Sequence, residues 1–278
     1  MRSPPPPDPD PVVVRDESGV RVTVIPVGWV GVRRSHVEFG GPWSLRYAAI
    51  AVDRRWAPWL PVNVVLIEHR RGIVLVDTGE AVDQPPGHFG CGDRVQESIY
   101  RRYLRLPVRA GADAPARLRA LGVAPDAVDT VVLTHLHGDH TGNLPAFARA
   151  EVVVGPGEVE GYPGATACRV TGRRLVRPRF EDGGIAGFAR STTLVDDGSV
   201  RAVPLPGHTI GHLGVVVDGA RPTVIAGDAA LSYEQLRRRG TPGVARDRTE
   251  NRRTQERLDT VARAGGQVVL SHAAPDAP

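Results

Sequence analysis

The chain has 278 residues, 41% of them hydrophobic, with 32 glycines and 25 prolines. That supports one large core or two small ones and a loop-rich α/β or β-rich architecture, and it argues against a helical bundle. All 35 basic residues are arginines and the formal net charge is +4, too small on this length to mark a nucleic-acid-binding protein. The arginine groups at Arg173, Arg174, Arg177 and Arg179 and at Arg237, Arg238 and Arg239 read as solvated faces.

In chain order, residues 1–11 are rich in proline and aspartate and are expected to be disordered. The sequence there lacks the apolar stretch of a secretory signal, and no run of about 18 apolar residues follows, so a cytoplasmic protein without a membrane span is expected. Residues 12–278 form the remainder, expected to be folded as a single domain. Valines alternate with polar or small residues from Val20 to Val32, the pattern of a strand. Further strands are expected at Tyr47–Val52, Val62–Glu68 and Gly72–Val76, the last two as a hairpin running into Asp77-Thr78-Gly79. Helices are expected at Val95–Leu104 and Ala114–Leu121, a strand at Val128–Leu133, a helix at Thr141–Ala150 and a strand at Glu151–Val154. Residues 161–192 are irregular and read as a lid, an insertion or a long connection. Strands follow at Val200–Leu205, Leu213–Val217 and Thr223–Ala226, then a helix at Arg248–Ala264 and a strand at Gln267–Leu270. The two halves repeat a loose pattern of strands followed by helix. The two cysteines, Cys91 and Cys168, match no Cys-x-x-Cys spacing and are either buried thiols or a disulfide.

The histidines carry the chemical signal. His135, His137 and His140 share a run of six residues with Asp139, straight after a strand. His208 and His212 follow another strand, Asp228 ends the apolar run that starts at Thr223, and His272 follows Val268-Val269-Leu270. Imidazole and carboxylate at strand ends are the usual ligands of zinc, iron or manganese. Three histidines and an aspartate in six residues are hard to account for structurally, because unmetallated rings so close would bring partial charges together without compensation. A metal site built on His135–His140 follows, and no Gly-x-Ser-x-Gly elbow supports a serine mechanism.

The motifs Asp77-Thr78-Gly79, Thr134-His135-Leu136-His137-Gly138-Asp139-His140-Thr141-Gly142-Asn143, Pro206-Gly207-His208-Thr209-Ile210-Gly211-His212, Gly227-Asp228-Ala229 and Ser271-His272 stand in the order of the metallo-β-lactamase-fold hydrolases, which the chain resembles. The resemblance implies an αββα sandwich, two mixed sheets with helices outside, and a binuclear centre at one edge. It implies His135, His137 and His208 on one metal, Asp139, His140 and His272 on the other, and Asp228 bridging. Asp77, Thr209 and His212 would support these ligands from behind. The cofactor it implies is a pair of divalent ions, zinc first, with iron, manganese or cobalt as substitutes.

Within this family the chain is most similar to the N-acyl-homoserine lactonase branch, which implies attack on a carbonyl by a metal-bound hydroxide, with Asp139 orienting it or passing a proton. That branch carries a tyrosine three residues after the bridging aspartate. Leu231 stands there instead, and Tyr233 is the nearest candidate for the role. The alternatives are a thioesterase or small-ester hydrolase of secondary metabolism, and a phosphodiesterase or nuclease. Trp56, Trp59 and Phe89 are candidates to line an apolar substrate pocket, each equally able to be a core anchor. The partner is a small-molecule substrate; a homodimer is left open, while nucleic acid and membrane are not expected.

Overall fold

The computed structural model describes residues 3–17 and 19–275. The chain opens with β1 (Val12–Glu17) and β2 (Val20–Val30), passes through the short helices α1 (Arg34–Val37) and α2 (Arg46–Val52), and continues as the hairpin β3 (Leu60–His69) and β4 (Gly72–Val76). Helices α3 (Arg94–Tyr103) and α4 (Ala114–Ala120) lead to β5 (Thr130–Leu133), the single turn α5 (Gly138–Thr141) to β6 (Glu151–Val154), and an irregular stretch to β7 (Leu175–Val176). The second half runs β8 (Thr192–Thr193), β9 (Val200–Pro204), β10 (Leu213–Val217), β11 (Thr223–Ile225), α6 (Tyr233–Arg238), α7 (Arg248–Arg263) and β12 (Gln267–Val269).

These strands form two mixed sheets. The first has β1 to β7 side by side in chain order, antiparallel up to β4 and parallel from there on. The second runs β12-β11-β10-β9-β8, with only β11 and β12 parallel. Period-two alternation along each central strand feeds two different cores. Val65, Ile67, Val74 and Val76 point between the sheets and meet Val200, Val215, Val217 and Ile225. Their neighbours Val64, Leu66 and Leu75 point outward under Leu118 and Phe147. On the far side, Val216 and Val224 pack beneath Leu236 of α6 and Leu258 and Val261 of α7. The layers are therefore helix, sheet, sheet, helix, and each fully buried Leu or Val contributes roughly 1.5–3 kcal/mol.

Three local expectations need correction. Tyr47–Val52 is the helix α2, because its alanines favour helix and only Ile50 is buried, so no alternating buried face exists. Thr141–Ala150 is not a helix: after the turn α5 the chain breaks at Gly142 and makes a 3₁₀ turn over Leu144–Ala146 around Pro145. A Cβ at Gly142 would lie 2.1 Å from Glu80 Oε1, so this close approach needs glycine. Residues 3–11, expected to be disordered, lie extended along the body. Arg109 donates to the carbonyls of Pro5 and Pro6 and pairs with Asp8 at 2.8 Å, Trp29 Nε1 donates to Asp8, and Trp59 Nε1 donates to the Ser3 carbonyl. Proline carbonyls in an extended ribbon are free to accept, which composition alone does not reveal. Residues 1–2 of that expectation, and 276–278 of the expected domain, lie outside the described residues.

Candidate metal centre

The parallel strand pairs deliver the ligands. Val76 of β4 is level with Val132 of β5, so Asp77 and the His135 run leave the first sheet at the same end. Ile225 of β11 is level with Val269 of β12, so Asp228 and His272 leave the second sheet together. The two ends are stitched by backbone hydrogen bonds from Leu213 N to Thr134 O at 3.0 Å and from Asn63 N to Ser271 O at 2.9 Å. The His208 loop after β9 is anchored by Arg246 N on His208 O and Asp247 N on Gly207 O. Ligand loops at the carboxyl ends of parallel strands are the usual location of chemistry in α/β proteins.

Seven side chains converge in two groups, His135, His137, His208 and Asp228 in one and Asp139, His140 and His272 in the other. In the first, His137 Nδ1 lies 2.8 Å from His135 Nε2 and 3.2 Å from His208 Nε2. Asp228 spans both groups. Its Oδ2 is 3.5 Å from His208 Nε2, and its Oδ1 is 3.5 Å from His140 Nε2 and 3.3 Å from His272 Nε2. Asp139 Oδ2 is 3.5 Å from His272 Nε2.

The hydrogen bonds behind the rings decide which nitrogens face inward as lone pairs. His140 Nδ1–H donates to Asp77 Oδ2 at 2.8 Å, and His272 Nδ1–H donates to the Pro61 carbonyl at 2.8 Å. The Thr134 hydroxyl donates to Asp77 Oδ2 at 2.9 Å and therefore accepts from His135 Nδ1–H at 3.1 Å. In their neutral forms all three rings therefore present the Nε2 lone pair to the centre. Burial holds His135 and His208 well below the ordinary histidine range, and His137 at about 4. Burial also opposes the charged forms of His140, His272 and Asp228. Asp77 and Asp228 nevertheless raise His140, Asp228 raises His272, and His272 with His140 holds the Asp228 carboxyl well below its usual range. The buried Nε2 of His140 and Oδ1 of Asp228 have no hydrogen-bond partner among the described residues. Converging lone pairs, orphaned polar atoms and a two-faced carboxylate fit a pair of divalent cations.

Asp77, Thr209 and His212, expected to support the ligands, lie close behind the two groups. Asp77 is buried, adopts φ 61°, and accepts from Thr134 N at 2.8 Å as well as from His140. His212 Nε2 accepts from the Asp228 backbone N–H at 3.1 Å, and burial holds its ring at about 4, so it fixes the bridging residue as a neutral ring. Thr209 is buried in the loop between them. Glu158, absent from the sequence reading, braces the whole region: its carboxylate accepts from Leu136 N, Gly211 N and the Tyr162 hydroxyl.

A cavity of about 790 Å³ opens over this centre, with His137, Asp139, His208, Asp228 and His272 on its wall. Four of the five tyrosines, Tyr47, Tyr100, Tyr103 and Tyr162, line it. Tyr233, expected in a catalytic role, does not; it packs at the start of α6 against the core under α7, while Leu231 faces the cavity. Trp56, Trp59 and Phe89 are not on its wall either. Trp56 lies under the Arg33 guanidinium at 3.9 Å, Trp59 holds the N-terminal ribbon, and Phe89 stacks on the back of Tyr100 at 4.8 Å. The irregular stretch 161–192 supplies the wall residues Tyr162, Pro163 and Gly164, and Cys168 within it is bonded to Cys91. Of the arginine groups, Arg173 serves the Leu144 and Phe147 carbonyls, while Arg174, Arg177, Arg238 and Arg239 pair with acids.

The metallo-beta-lactamase superfamily model matches residues 57–271, and the chain belongs to that superfamily. It is a metal-dependent hydrolase. The N-acyl homoserine lactonase AttM of Azorhizobium caulinodans is 31% identical over 230 residues, covering 78% of this chain and 83% of that protein. AttM of Rhizobium johnstonii is 28% identical over 225 residues, 77% and 82% of the two chains. An N-acyl homoserine lactone hydrolase solved with N-hexanoyl-L-homoserine at its catalytic metal center superimposes with TM-score 0.70 at 20% identity, over 91% of this chain and 92% of that one. The dizinc lactonase AidC gives 0.59 at 12% identity, over 91% and 87%. At such identities the structural likeness speaks for the fold.

Proposed function

We propose that the protein hydrolyses lactones, with N-acyl homoserine lactones as the first class to test, using two zinc ions. The observation that carries this reading is the cavity of about 790 Å³ whose apolar wall, including Val30, Val32, Ile50, Leu60, Ile99 and Leu231, ends on the ligand set. A compact polar ring would meet the ligands while an acyl chain lies along the apolar side. The lactonase relatives support the same reading.

Bound divalent ions would supply Lewis-acid polarisation of the carbonyl and a water acidic enough to attack near neutral pH. The chain supplies the rest. Asp228 holds both groups at a fixed spacing, with its backbone fixed by His212. Asp139 lies on the cavity wall beside His272, placed to accept a proton and return it to the departing ring oxygen. The apolar wall excludes bulk water and strengthens these interactions.

The test is elemental analysis of purified protein, then a panel of lactones of differing chain length, a thioester, a cephalosporin reporter and a phosphodiester. Lactone turnover with two zinc ions per chain is the expected result; turnover of another class without lactones overturns the reading. The compartment proposed is the cytoplasm. No helix among the described residues is long and apolar enough to cross a membrane. The Cys91–Cys168 bridge favours an oxidising compartment instead, and cell fractionation with thiol counting decides between them.

A further inference from the structure

Of the nine histidines, five are ligands, His212 holds the Asp228 backbone, His69 faces Asp197 at 3.1 Å and His88 faces Glu80 at 2.8 Å. His36 remains. It is only 7% exposed and lines the cavity, yet its buried Nδ1 has no hydrogen-bond partner among the described residues. Nδ1 itself is fully enclosed, so a ligand in the cavity reaches the ring by its other edge, at Nε2, for which no hydrogen-bond partner is found among the described residues either. Buried polar groups are nearly always paired, so such an imidazole on a ligand cavity points to a partner that arrives with the ligand.

The ring is held in place. Gly243 N donates to the His36 carbonyl at 2.8 Å, and a Cβ at Gly243 would lie 1.7 Å from the Ser35 carbonyl, so the two segments dock backbone to backbone. Gln235 ties both sides together: its amide donates to the Val37 carbonyl at 2.6 Å, and its oxygen accepts from Leu231 N at 2.7 Å. His36 is therefore fixed relative to Leu231, the apolar side chain that stands where a hydroxyl was expected. The same wall carries the apolar Val32, Ile50 and Val244 and the polar Tyr47 and Tyr103. Burial and the nearby Arg33 charge hold the His36 imidazole at about 4, a neutral ring with one donor and one acceptor.

We propose that His36 is a specificity residue that hydrogen-bonds a polar group of the substrate at a distance from the reacting carbonyl, selecting lactones that carry an amide in their side chain over plain alkyl lactones. No hydrogen bond or ion pair joins His36 to the ligand set among the described residues, although the two share one cavity wall and the His137 charge reaches the ring. The assignment rests on the lactone reading above and narrows it to one substrate feature. A site with a buried group awaiting a partner discriminates against the analogue that lacks it, because that analogue leaves the group unpaired.

The experiment compares metal-loaded wild type with His36→Leu and His36→Gln on N-octanoyl homoserine lactone and on γ-dodecalactone, which lacks the amide. Wild type should prefer the amide-bearing lactone. His36→Leu should lose at least tenfold in kcat/KM on it, mainly through KM, and change less than twofold on γ-dodecalactone. His36→Gln should recover part of the loss. Equal losses on both lactones, or none on either, overturn the assignment. If wild type turns over neither, the lactonase reading fails. His36 is then judged by thermal-shift titration with N-octanoyl-homoserine and 4-hydroxydodecanoate: loss of preference for the amide in His36→Leu supports it, and unchanged binding refutes it.

Discussion

Asp77→Asn gives the sharpest test of how the centre is organised. The Asp77 carboxylate is buried and accepts from Thr134 N–H, from the Thr134 hydroxyl and from His140 Nδ1–H. An asparagine in the same place keeps one acceptor oxygen. If that oxygen stays with Thr134, its NH₂ faces His140 Nδ1, which must then accept. The His140 proton moves to Nε2, the atom that faces Asp139 and Asp228, and the ring can no longer offer a lone pair there. Loss of a carboxylate behind a ligand histidine costs about 10–100-fold in metal affinity, or about 1.4–2.8 kcal/mol. No hydrogen bond or ion pair joins His137 or His208 to Asp77 among the described residues, so the expected product keeps one ion near wild-type affinity and binds the second weakly. Stepwise chelator competition followed by elemental analysis reads the two sites separately, and thermal melting checks that the fold survives. Two ions released together, at the wild-type chelator concentration, would refute the tautomer argument.

Gly207→Ala should produce the mirror image. Its Cβ would lie 2.2 Å from Asn251 N at a φ of +131°, displacing His208 and weakening the first group by tenfold or more, measured by the same chelator competition. Removing both ions should abolish hydrolysis, and readdition of zinc, manganese or cobalt should restore it; activity that survives complete demetallation counts against the mechanism. The Cys91–Cys168 bridge closes a separation of 77 residues, which corresponds to about 4.5 kcal/mol of loop-closure entropy. The double Cys→Ser variant should therefore melt well below wild type, and an unchanged Tm would mean the bridge does not form. His36 is lowered from 6.5 to about 4 by burial and by Arg33, against the opposing pull of Asp53. The folded chain binds this proton less tightly than the unfolded one, so the contribution is complete above pH 6.5 and is lost as pH falls towards 4. Urea titrations should show His36→Leu losing less stability than wild type over that window, and parallel curves would contradict it.

The candidate ligand set is legible because metal chemistry confines it to few residue types and the strand ends confine it to few places. His135 to His140 stand together in sequence, and His208, Asp228 and His272 each follow an apolar strand that the valine pattern reveals. The same pattern fixed Gly72–Val76 and Leu213–Val217 to the residue. Legibility failed where contact from elsewhere decides. Residues 47–52 carry β-prone Tyr, Ile and Val, yet only Ile50 has a core to face, and the alanines settle on helix. The pocket tryptophans were judged by type, but Trp59 is committed to the N-terminal ribbon and Trp56 to an arginine face. Tyr233 is near Asp228 in sequence, while the tyrosines on the cavity come from α2, α3 and the stretch after β6. His36 and Glu158 have no motif around them; Glu158 is defined chiefly by the distant backbone donors Leu136 and Gly211, and His36 by the lack of a partner.

Asp228 lies between the ends of two sheets formed by different halves of the chain, and this bears on biogenesis. During synthesis the His135 run emerges long before β12 pairs with β11 and brings His272 alongside. An ion captured early by His135 and His137 alone would meet an incomplete and weakly selective shell. Tight, paired uptake must await docking of the second sheet on the first. Full metal stoichiometry in a growing cell then marks chains whose two sheets have docked.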